Sequence, residues 1–133
     1  MPIKVILDSN FLFLPLHFDI EIYEALSTLL NRRYEPIILS TNLEELEKLA
    51  KSSSLKISKE AKLALKLAEK CKILRVKRKL NESNDDVIVR VAAEIRCPVA
   101  TNDQALRKKL RNIKVPVIYL RQKSRLEMDG AID

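Results

Sequence analysis

The chain alternates short apolar runs with longer amphipathic segments over most of its length. Apolar runs of three to six residues predict five strands, at Ile3–Leu7, 36–39, 73–76, 98–100 and 115–120. Apolar residues at helical spacing predict helices over 19–30, from Thr41, from Ser58, over 85–96 and over 103–111. This alternation predicts a three-layer α/β/α fold around a central parallel sheet. Right-handed crossovers favour the strand order 3-2-1-4-5.

Local signals predict where some helices begin and where the domain ends. Asp19 is in the position of an N-cap, and Thr41 followed three residues later by Glu44 has the spacing of a capping box. The residues after 120 are mostly polar and predict an edge extension or a frayed tail. We therefore place one domain at residues 1–123 and a C-terminal extension at residues 124–133.

Composition excludes several classes of protein. No apolar run approaches the roughly 18 residues of a transmembrane helix, and the N-terminal residues lack the pattern of a signal peptide. Gly130 is the only glycine, which excludes a P-loop and a GxGxxG dinucleotide loop. His17 is the only histidine, and its apolar surroundings favour packing or capping over catalysis or zinc binding. Cys71 and Cys97 form no CxxC pair, so we expect reduced thiols in a cytoplasmic protein.

The chain is basic. It carries 25 Lys and Arg residues against 18 Asp and Glu residues, a formal net charge of +7. This balance favours a polyanionic partner, although many proteins carry such a charge for solubility alone. Two basic groups are candidate RNA contacts, against the alternative of a solvated surface. They are Lys77, Arg78 and Lys79 in a polar stretch, and Arg107 and Lys108 in the last predicted helix.

Four acidic residues lie at the polar edges of different apolar segments: Asp8, Glu45, Asp86 and Asp103. Asp8 and Asp103 follow strands, and the other two fall near the beginnings of helices. We expect all four at the edge formed by the carboxyl ends of the strands, where open α/β sheets bind their ligands. Carboxylates brought together need a cation, and oxygen ligands alone suit Mg²⁺ or Mn²⁺. A nucleic-acid phosphodiester is the matching substrate on a basic surface.

Each acid taken singly also has an ordinary explanation as a turn former, a helix cap or a solvated charge. Glu44 and Glu47 compete with Glu45, and Asp85 competes with Asp86. Asp8 and Asp103 have small polar neighbours that can orient a carboxylate, which are Ser9, Asn10, Thr101 and Asn102. Because four separate segments are each predicted to place an acid at the same edge of the sheet, a shared site is favoured over four separate structural roles.

Four stretches resemble the acidic motifs of the PIN domain family of metal-dependent nucleases. They are VILDSNFLF, STNLEELEKL, NDDVIVRVA and VATNDQALRKKL, in that order over nearly the whole chain. DSNFLFLPLHFDIEIYEAL and VPVIYLRQK resemble in particular the PIN proteins related to the small-subunit processome endonuclease of eukaryotic ribosome assembly, with their archaeal counterparts. Short bacterial toxin nucleases share the four acids but fit these stretches less closely.

The resemblance implies a PIN-like fold and a Mg²⁺- or Mn²⁺-dependent endoribonuclease active in ribosomal RNA processing. Its implied partners are pre-ribosomal RNA and ribosome-assembly proteins, with no membrane; a homo-oligomer is compatible with it. Asp8, Glu45, Asp86 and Asp103 would hold one or two ions, supported by Asn10, Thr101 and Asn102. The alternatives are a catalytically silent PIN-fold RNA-binding assembly factor and a toxin-type PIN ribonuclease.

Overall fold

The structure is a computed structural model of the chain and describes residues 2–132. A 3₁₀ turn at Ser9–Phe13 follows the first strand after one residue, Asp8. The strands are β1 (Ile3–Leu7), β2 (Tyr34–Leu39), β3 (Lys72–Leu74), β4 (Val99–Ala100), β5 (Val117–Arg121) and β6 (Arg125–Asp129). The helices are α1 (Leu14–His17), α2 (Ile22–Leu30), α3 (Ser40–Ala50), α4 (Leu55–Ala68), α5 (Asn84–Ile95) and α6 (Gln104–Asn112).

Across residues 2–132 the strands form one six-stranded sheet in the order β3-β2-β1-β4-β5-β6. Neighbouring strands from β3 to β5 run parallel, and β6 pairs antiparallel with β5. The expected fold class and the order of the first five strands are confirmed. The C-terminal residues extend the sheet edge, because Leu126 and Met128 alternate along β6 and pack onto the core.

The core lies on both faces of the sheet because side chains alternate along β1. Val5 and Leu7 belong to an apolar cluster with residues of α2, α3 and α4. Ile6 points to the opposite face and belongs to a second cluster with residues of α5 and α6. These three strand residues are fully buried. The two clusters make the three layers expected for strands that are apolar on both sides.

The helix starts differ from the sequence expectation. Helix α2 begins at Ile22, not at residue 19, and its N-cap is Glu21, whose carboxylate accepts from the backbone N–H groups of Tyr23 and Glu24. Helix α4 begins at Leu55, three residues before the predicted Ser58, and Ser54 is its N-cap. Both predictions were wrong because a suitable cap lay a few residues away.

The predicted capping box of Thr41 and Glu44 is also absent. Helix α3 begins at Ser40 directly after β2, without a side-chain cap. Thr41 is buried, so its side chain packs inside the protein instead of capping the helix end. The Ser40 hydroxyl instead ties the chain after β3 to this helix start, since it accepts from the N–H of Val76 at 3.0 Å. The N-terminus of α3 is thereby fixed at the sheet edge.

The carboxyl ends of β1, β2 and β4 meet at one edge of the sheet. Asp8 directly follows β1, α3 directly follows β2, and Asp103 comes three residues after the end of β4. In open α/β sheets this edge is the place where ligands bind. Each helix within residues 2–132 is too short or too polar to cross a membrane.

Candidate active site

An open pocket of about 240 Å³ lies at the carboxyl edge of the sheet. Four carboxylate residues line it, and they come from four separate parts of the chain: Asp8, Glu45, Asp85 and Asp103. The remaining lining residues are polar or apolar side chains of neighbouring turns and helices: Ser9, Asn10, Phe13, Asn42, Leu49 and Asn84. Three of the four acids expected at this edge, Asp8, Glu45 and Asp103, therefore line one pocket, and Asp85 is the fourth.

Asp8 is the deepest of the four acids. Its residue is only 6% exposed. One carboxylate oxygen accepts a hydrogen bond of 2.7 Å from the Thr101 hydroxyl, and the other accepts from the Asn42 amide at 3.4 Å. Its backbone N–H donates to the carbonyl of Ala100 at 2.9 Å, which joins β1 to β4 at this point. The side chain is thus held at a fixed place in the floor of the pocket.

Glu45 extends from α3 into the pocket. Its carboxylate accepts from the Ser9 hydroxyl, and the same hydroxyl accepts from the Asn42 amide at 2.8 Å. Glu44 and Glu47, the competing acids of this helix, lie outside the pocket. The choice of Glu45 among the three agrees with this geometry.

Asp103 is the N-cap of α6. One of its carboxylate oxygens accepts from the N–H groups of Ala105 and Leu106, at 2.9 and 3.1 Å. The backbone N–H of Asp103 donates to the Thr101 hydroxyl at 3.1 Å. Thr101 therefore links the two strand-end acids, because the same hydroxyl also donates to Asp8.

The structure places Asp85 in the pocket and Asp86 outside it, which corrects the preference for Asp86. Asp86 is the third residue of α5, and its carboxylate turns back to accept from the N–H of the N-cap Ser83 at 3.0 Å. Its other oxygen lies 3.9 Å from the Lys109 ammonium. These two partners hold Asp86 away from the other acids, while its neighbour points to them.

Burial and mutual repulsion perturb the two most enclosed acids. Burial is the main cause that raises the pKa of Asp8 to about 6; the nearby charges of Asp85 and Glu45 act in the same direction, and the hydrogen bond from Thr101 opposes them. Burial also raises the pKa of Asp85, together with the charges of Asp103 and Glu45. By contrast, hydrogen bonds from Ser83 lower the pKa of Asp86. Among residues 2–132 no Lys, Arg or His lines the pocket, and the nearby charge of Lys109 only partly opposes the rise in the pKa of Asp85.

The donors of the pocket fit a hard divalent cation. Four carboxylates and amide oxygens are the ligands that Mg²⁺ and Mn²⁺ prefer. The Asn42 side chain is 1% exposed, and its Oδ1 atom has no hydrogen-bond partner among residues 2–132. Such an orphaned buried oxygen beside Asp8 suits a cation or its water. Within the same residues, however, no three His, Cys, Asp or Glu side chains stand close enough together to form a ready-made metal cluster.

Of the three expected supporting polar residues, Thr101 and Asn10 lie around Asp8 and Asn102 does not. Thr101 is fully buried and contacts Asp8 directly. Asn10 lines the pocket, and its Oδ1 atom accepts from the backbone N–H of Asn102 at 3.3 Å. Asn102 turns away, since its own Oδ1 atom accepts from the N–H of Leu120 at 2.8 Å. Asn102 thus joins β5 to the turn after β4 and does not reach the acids.

The two basic groups lie in different surroundings. Lys77, Arg78 and Lys79 are exposed, and the Arg78 guanidinium donates to the side-chain oxygen of Asn84, a residue of the pocket wall. Arg107 forms an ion pair with Asp129 at 3.1 Å and stacks on the Tyr119 ring.

Lys108 is exposed beside Arg107 on α6. The group at 77–79 is therefore adjacent to the acidic pocket, whereas Arg107 pairs with Asp129, a carboxylate that it shares with Arg111.

Sequence reasoning missed Asn42 and Asn84 as pocket residues. Asn42 precedes Glu45 by three residues on α3, so the two side chains share a helix face. Asn84 immediately precedes Asp85 at the first position of α5. Both could have been found by asking which polar residues lie next to the acids on the same helix.

The fold and the pocket together define a class of protein. It is a three-layer α/β domain whose acidic pocket, at the carboxyl edge of the sheet, suits cation-dependent reactions on anionic substrates. The chain matches the PIN like domain family over residues 5–123. It belongs to this family, and the resemblance of its acidic motifs to PIN domains is confirmed.

Two proteins that match over nearly their whole length support this assignment. The chain is 34% identical over 133 residues to Ribonuclease VapC4 of Methanocaldococcus jannaschii, and the alignment covers 97% of this chain and 98% of that protein. The solved structure of the PIN domain endonuclease Utp24 matches with a TM-score of 0.82 and 29% identity, over 99% of this chain and 95% of that one.

A further structural match supports the fold alone. It is a domain of a functionally unknown protein from Methanocaldococcus jannaschii, with a TM-score of 0.66 and 21% identity over 98% of this chain and 99% of that one.

Proposed function

We propose that this protein is an endoribonuclease that uses Mg²⁺ or Mn²⁺ to hydrolyse RNA phosphodiester bonds. The observation that carries the proposal is the meeting of Asp8, Glu45, Asp85 and Asp103 at one pocket. Its relatives include proteins named as a ribonuclease and as a PIN domain endonuclease. Asp85 replaces Asp86 in the proposed set because of its position in the pocket.

When bound, the cation would activate water and neutralise charge on the phosphodiester. Asp8, Glu45, Asp85 and Asp103 would hold it. The chain's own hydrogen bonds keep these donors in place before RNA arrives. Thr101 orients Asp8, and Ser9 orients Glu45. Such support is what a metal site needs from the groups behind its ligands.

The basic residues next to the pocket would hold the RNA backbone. Arg78 is the nearest of them by contact, through Asn84, and Lys77 and Lys79 flank it. Arg107 and Lys108 are assigned a lesser role, since Arg107 is paired with Asp129. The chain has 5% aromatic residues and no Trp, so phosphate contacts should contribute more to binding than base stacking on aromatic rings.

We further infer that the substrate is pre-ribosomal RNA in the cytoplasm, acted on alone or with ribosome-assembly proteins. The support is the resemblance of the opening and closing motifs to the PIN proteins of the small-subunit processome. The second candidate is a toxin-type ribonuclease, which is favoured by the 34% identity to Ribonuclease VapC4. Growth arrest on expression of the wild-type protein, but not of Asp8→Asn, would favour the toxin.

The activity is tested with fluorescent RNA fragments in Mg²⁺, in Mn²⁺ and in EDTA. We expect cleavage only with a divalent ion, and we expect Asp8→Asn to abolish it. Asp85→Asn and Asp86→Asn form a matched pair of neighbouring substitutions. Asp85→Asn should lower the rate by more than about 100-fold, since even groups behind metal ligands are worth about 10- to 100-fold.

Asp86→Asn should keep most of the activity. Equal losses for the two substitutions would contradict the assigned site. RNA binding without any cleavage by the wild-type protein would instead support the silent assembly factor.

A further inference from the structure

The segment at residues 77–83, here named the basic loop, precedes α5, and hydrogen bonds hold its backbone although it has no regular secondary structure. The Glu82 carboxylate accepts from the backbone N–H of Lys79 at 2.7 Å, and the Glu82 N–H donates to the Lys79 carbonyl at 3.1 Å. Arg90 of α5 donates to both carboxylate oxygens of Glu82, each at 2.9 Å, and to the Lys77 carbonyl at 2.8 Å. Glu82 and Arg90 thus fasten the loop onto α5.

The basic loop presents a leucine to solvent at its tip. Leu80 is 92% exposed, and it precedes Asn81, whose left-handed backbone (φ of 64°) closes the turn. Scattered exposed leucines are ordinary on protein surfaces. Leu80 differs in that the backbone on both sides is fixed and three basic residues precede it. An apolar side chain held beside cations matches the two parts of a nucleotide, its base and its phosphate.

The loop also reaches the acidic pocket. Arg78 donates through one guanidinium nitrogen to the Asn84 side chain at 2.5 Å and through the other to the Glu82 carbonyl at 3.3 Å. Asn84 lines the pocket beside Asp85. Leu80 precedes Asn84 by four residues, so it lies within about 14 Å of this pocket wall. A strand of RNA in the pocket would pass close to Leu80.

We propose that the basic loop is a nucleotide clamp, in which Leu80 packs on an unpaired base while Arg78 contacts the adjoining phosphate. This inference rests on the proposed function and specifies its substrate. In a duplex both faces of a base are covered by its neighbours, so Leu80 can pack only on an unstacked base. The substrate is therefore RNA that is unpaired next to the cleaved bond.

The clamp is tested with a single-stranded RNA that carries 2-aminopurine, a base whose fluorescence reports its stacking. Binding is measured in EDTA, so that no cleavage occurs, for the wild-type protein, Leu80→Ala and Leu80→Phe. The matched control is Ile113→Ala, because Ile113 is 45% exposed but follows α6 at the opposite end from Asp103. We expect Leu80→Ala to lose the fluorescence change and to bind about five-fold more weakly.

Leu80→Phe should restore both the fluorescence change and the affinity that Leu80→Ala loses, since an aromatic ring stacks on any base. With a divalent ion, Leu80→Ala should also lower kcat/KM on the single strand by about five-fold, and the same RNA annealed to its complement should resist cleavage by both the wild-type protein and the variant. The clamp is overturned if Leu80→Ala and Ile113→Ala bind alike and give the same fluorescence change, an outcome that would leave Leu80 as a contact for a protein. A Leu80-dependent signal without any cleavage would refute the nuclease and keep the clamp, whereas cleavage without a Leu80 effect would do the reverse.

Discussion

Replacing Asp8 by Asn should stabilise the metal-free protein at alkaline pH, although it removes a proposed catalytic carboxylate. An amide has almost the same shape as the carboxylate and carries no charge. Its oxygen can accept from the Asn42 amide, and its NH₂ group can donate to the Thr101 hydroxyl. The Thr101 proton then turns to the Asn10 side-chain oxygen at 3.3 Å. The substitution therefore leaves each hydrogen bond with a donor and an acceptor.

The magnitude follows from the perturbed pKa of Asp8. Its pKa rises from 3.8 to about 6, which corresponds to about 3 kcal/mol of free energy at about 1.4 kcal/mol per unit. The folded state holds the proton more tightly than the unfolded state does. The contribution to stability is therefore complete below pH 3.8 and is lost as the pH rises through about 6. At pH 8 the free energy of unfolding of Asp8→Asn should exceed that of the wild-type protein by up to about 3 kcal/mol, and at pH 4 the two values should converge.

The assay is urea unfolding in EDTA at a series of pH values from 4 to 8, with Asp86→Asn as the matched control. The pKa of Asp86 is lowered by its hydrogen bonds to Ser83, so its substitution should not stabilise the protein at pH 8. Added Mg²⁺ should then stabilise the wild-type protein at pH 8 by about 2.7 kcal/mol at a hundred times its dissociation constant. It should leave Asp8→Asn nearly unchanged.

One result would refute this reasoning. If the difference in unfolding free energy between Asp8→Asn and the wild-type protein is the same at pH 4 and at pH 8, burial does not hold the proton on Asp8. The electrostatic argument for a cation at this pocket would then fail, whatever the activity assay shows.

Three further perturbations test other parts of the structure. Thr101→Val removes the hydrogen bond that lowers the pKa of Asp8, so the acidic limb of the pH–rate profile should move to higher pH; an unmoved limb would contradict the role of this hydroxyl. Arg78→Ala should weaken RNA binding and reduce the slope of log affinity against log salt concentration by about one. An unchanged slope would show that Arg78 does not contact an RNA phosphate. Gly130→Ala should lower the unfolding free energy by about 1–3 kcal/mol, because φ is +96° and a Cβ atom would collide with the Arg111 guanidinium; an unchanged urea midpoint would show that this turn yields freely.

The alternation of apolar strands and helices was enough to predict the layers of the sheet and the edge that carries the site. Parallel strands present their carboxyl ends together, so an acid that follows a strand has little freedom to lie elsewhere. Asp8 and Asp103 were predictable for this reason. Glu45 was harder, because Glu44 and Glu47 on the same helix have the same chemistry and only the phase of α3 separates them.

The error at Asp86 has a physical origin that the sequence contained. Ser83 precedes Asp86 by three residues, and this is the spacing at which a helix cap and the third helical residue bond to each other. Once Asp86 is engaged by Ser83, the helical turn directs Asp85 to the pocket. The preference for Asp86 relied on Ile88 and Val89 facing the core, yet Val87 and Ile88 are the fully buried pair. A shift of one residue in helical phase exchanged the two acids.

The buried and mutually repelling carboxylates of the pocket would destabilise the metal-free protein locally, and a bound cation would remove this instability. Asp8 is buried with two nearby acids that oppose its ionisation, so we expect the metal-free protein to be less stable at neutral pH than the amide variant. A dication would neutralise the same carboxylates and would also remove their repulsion of an RNA phosphate. Cation and RNA must then strengthen each other's binding, and by linkage each does so by the same factor. The acidic floor of the pocket cannot attract a phosphate, and the basic loop at the rim would supply that attraction. A protein with a net charge of +7 can therefore carry four acids at its proposed catalytic centre.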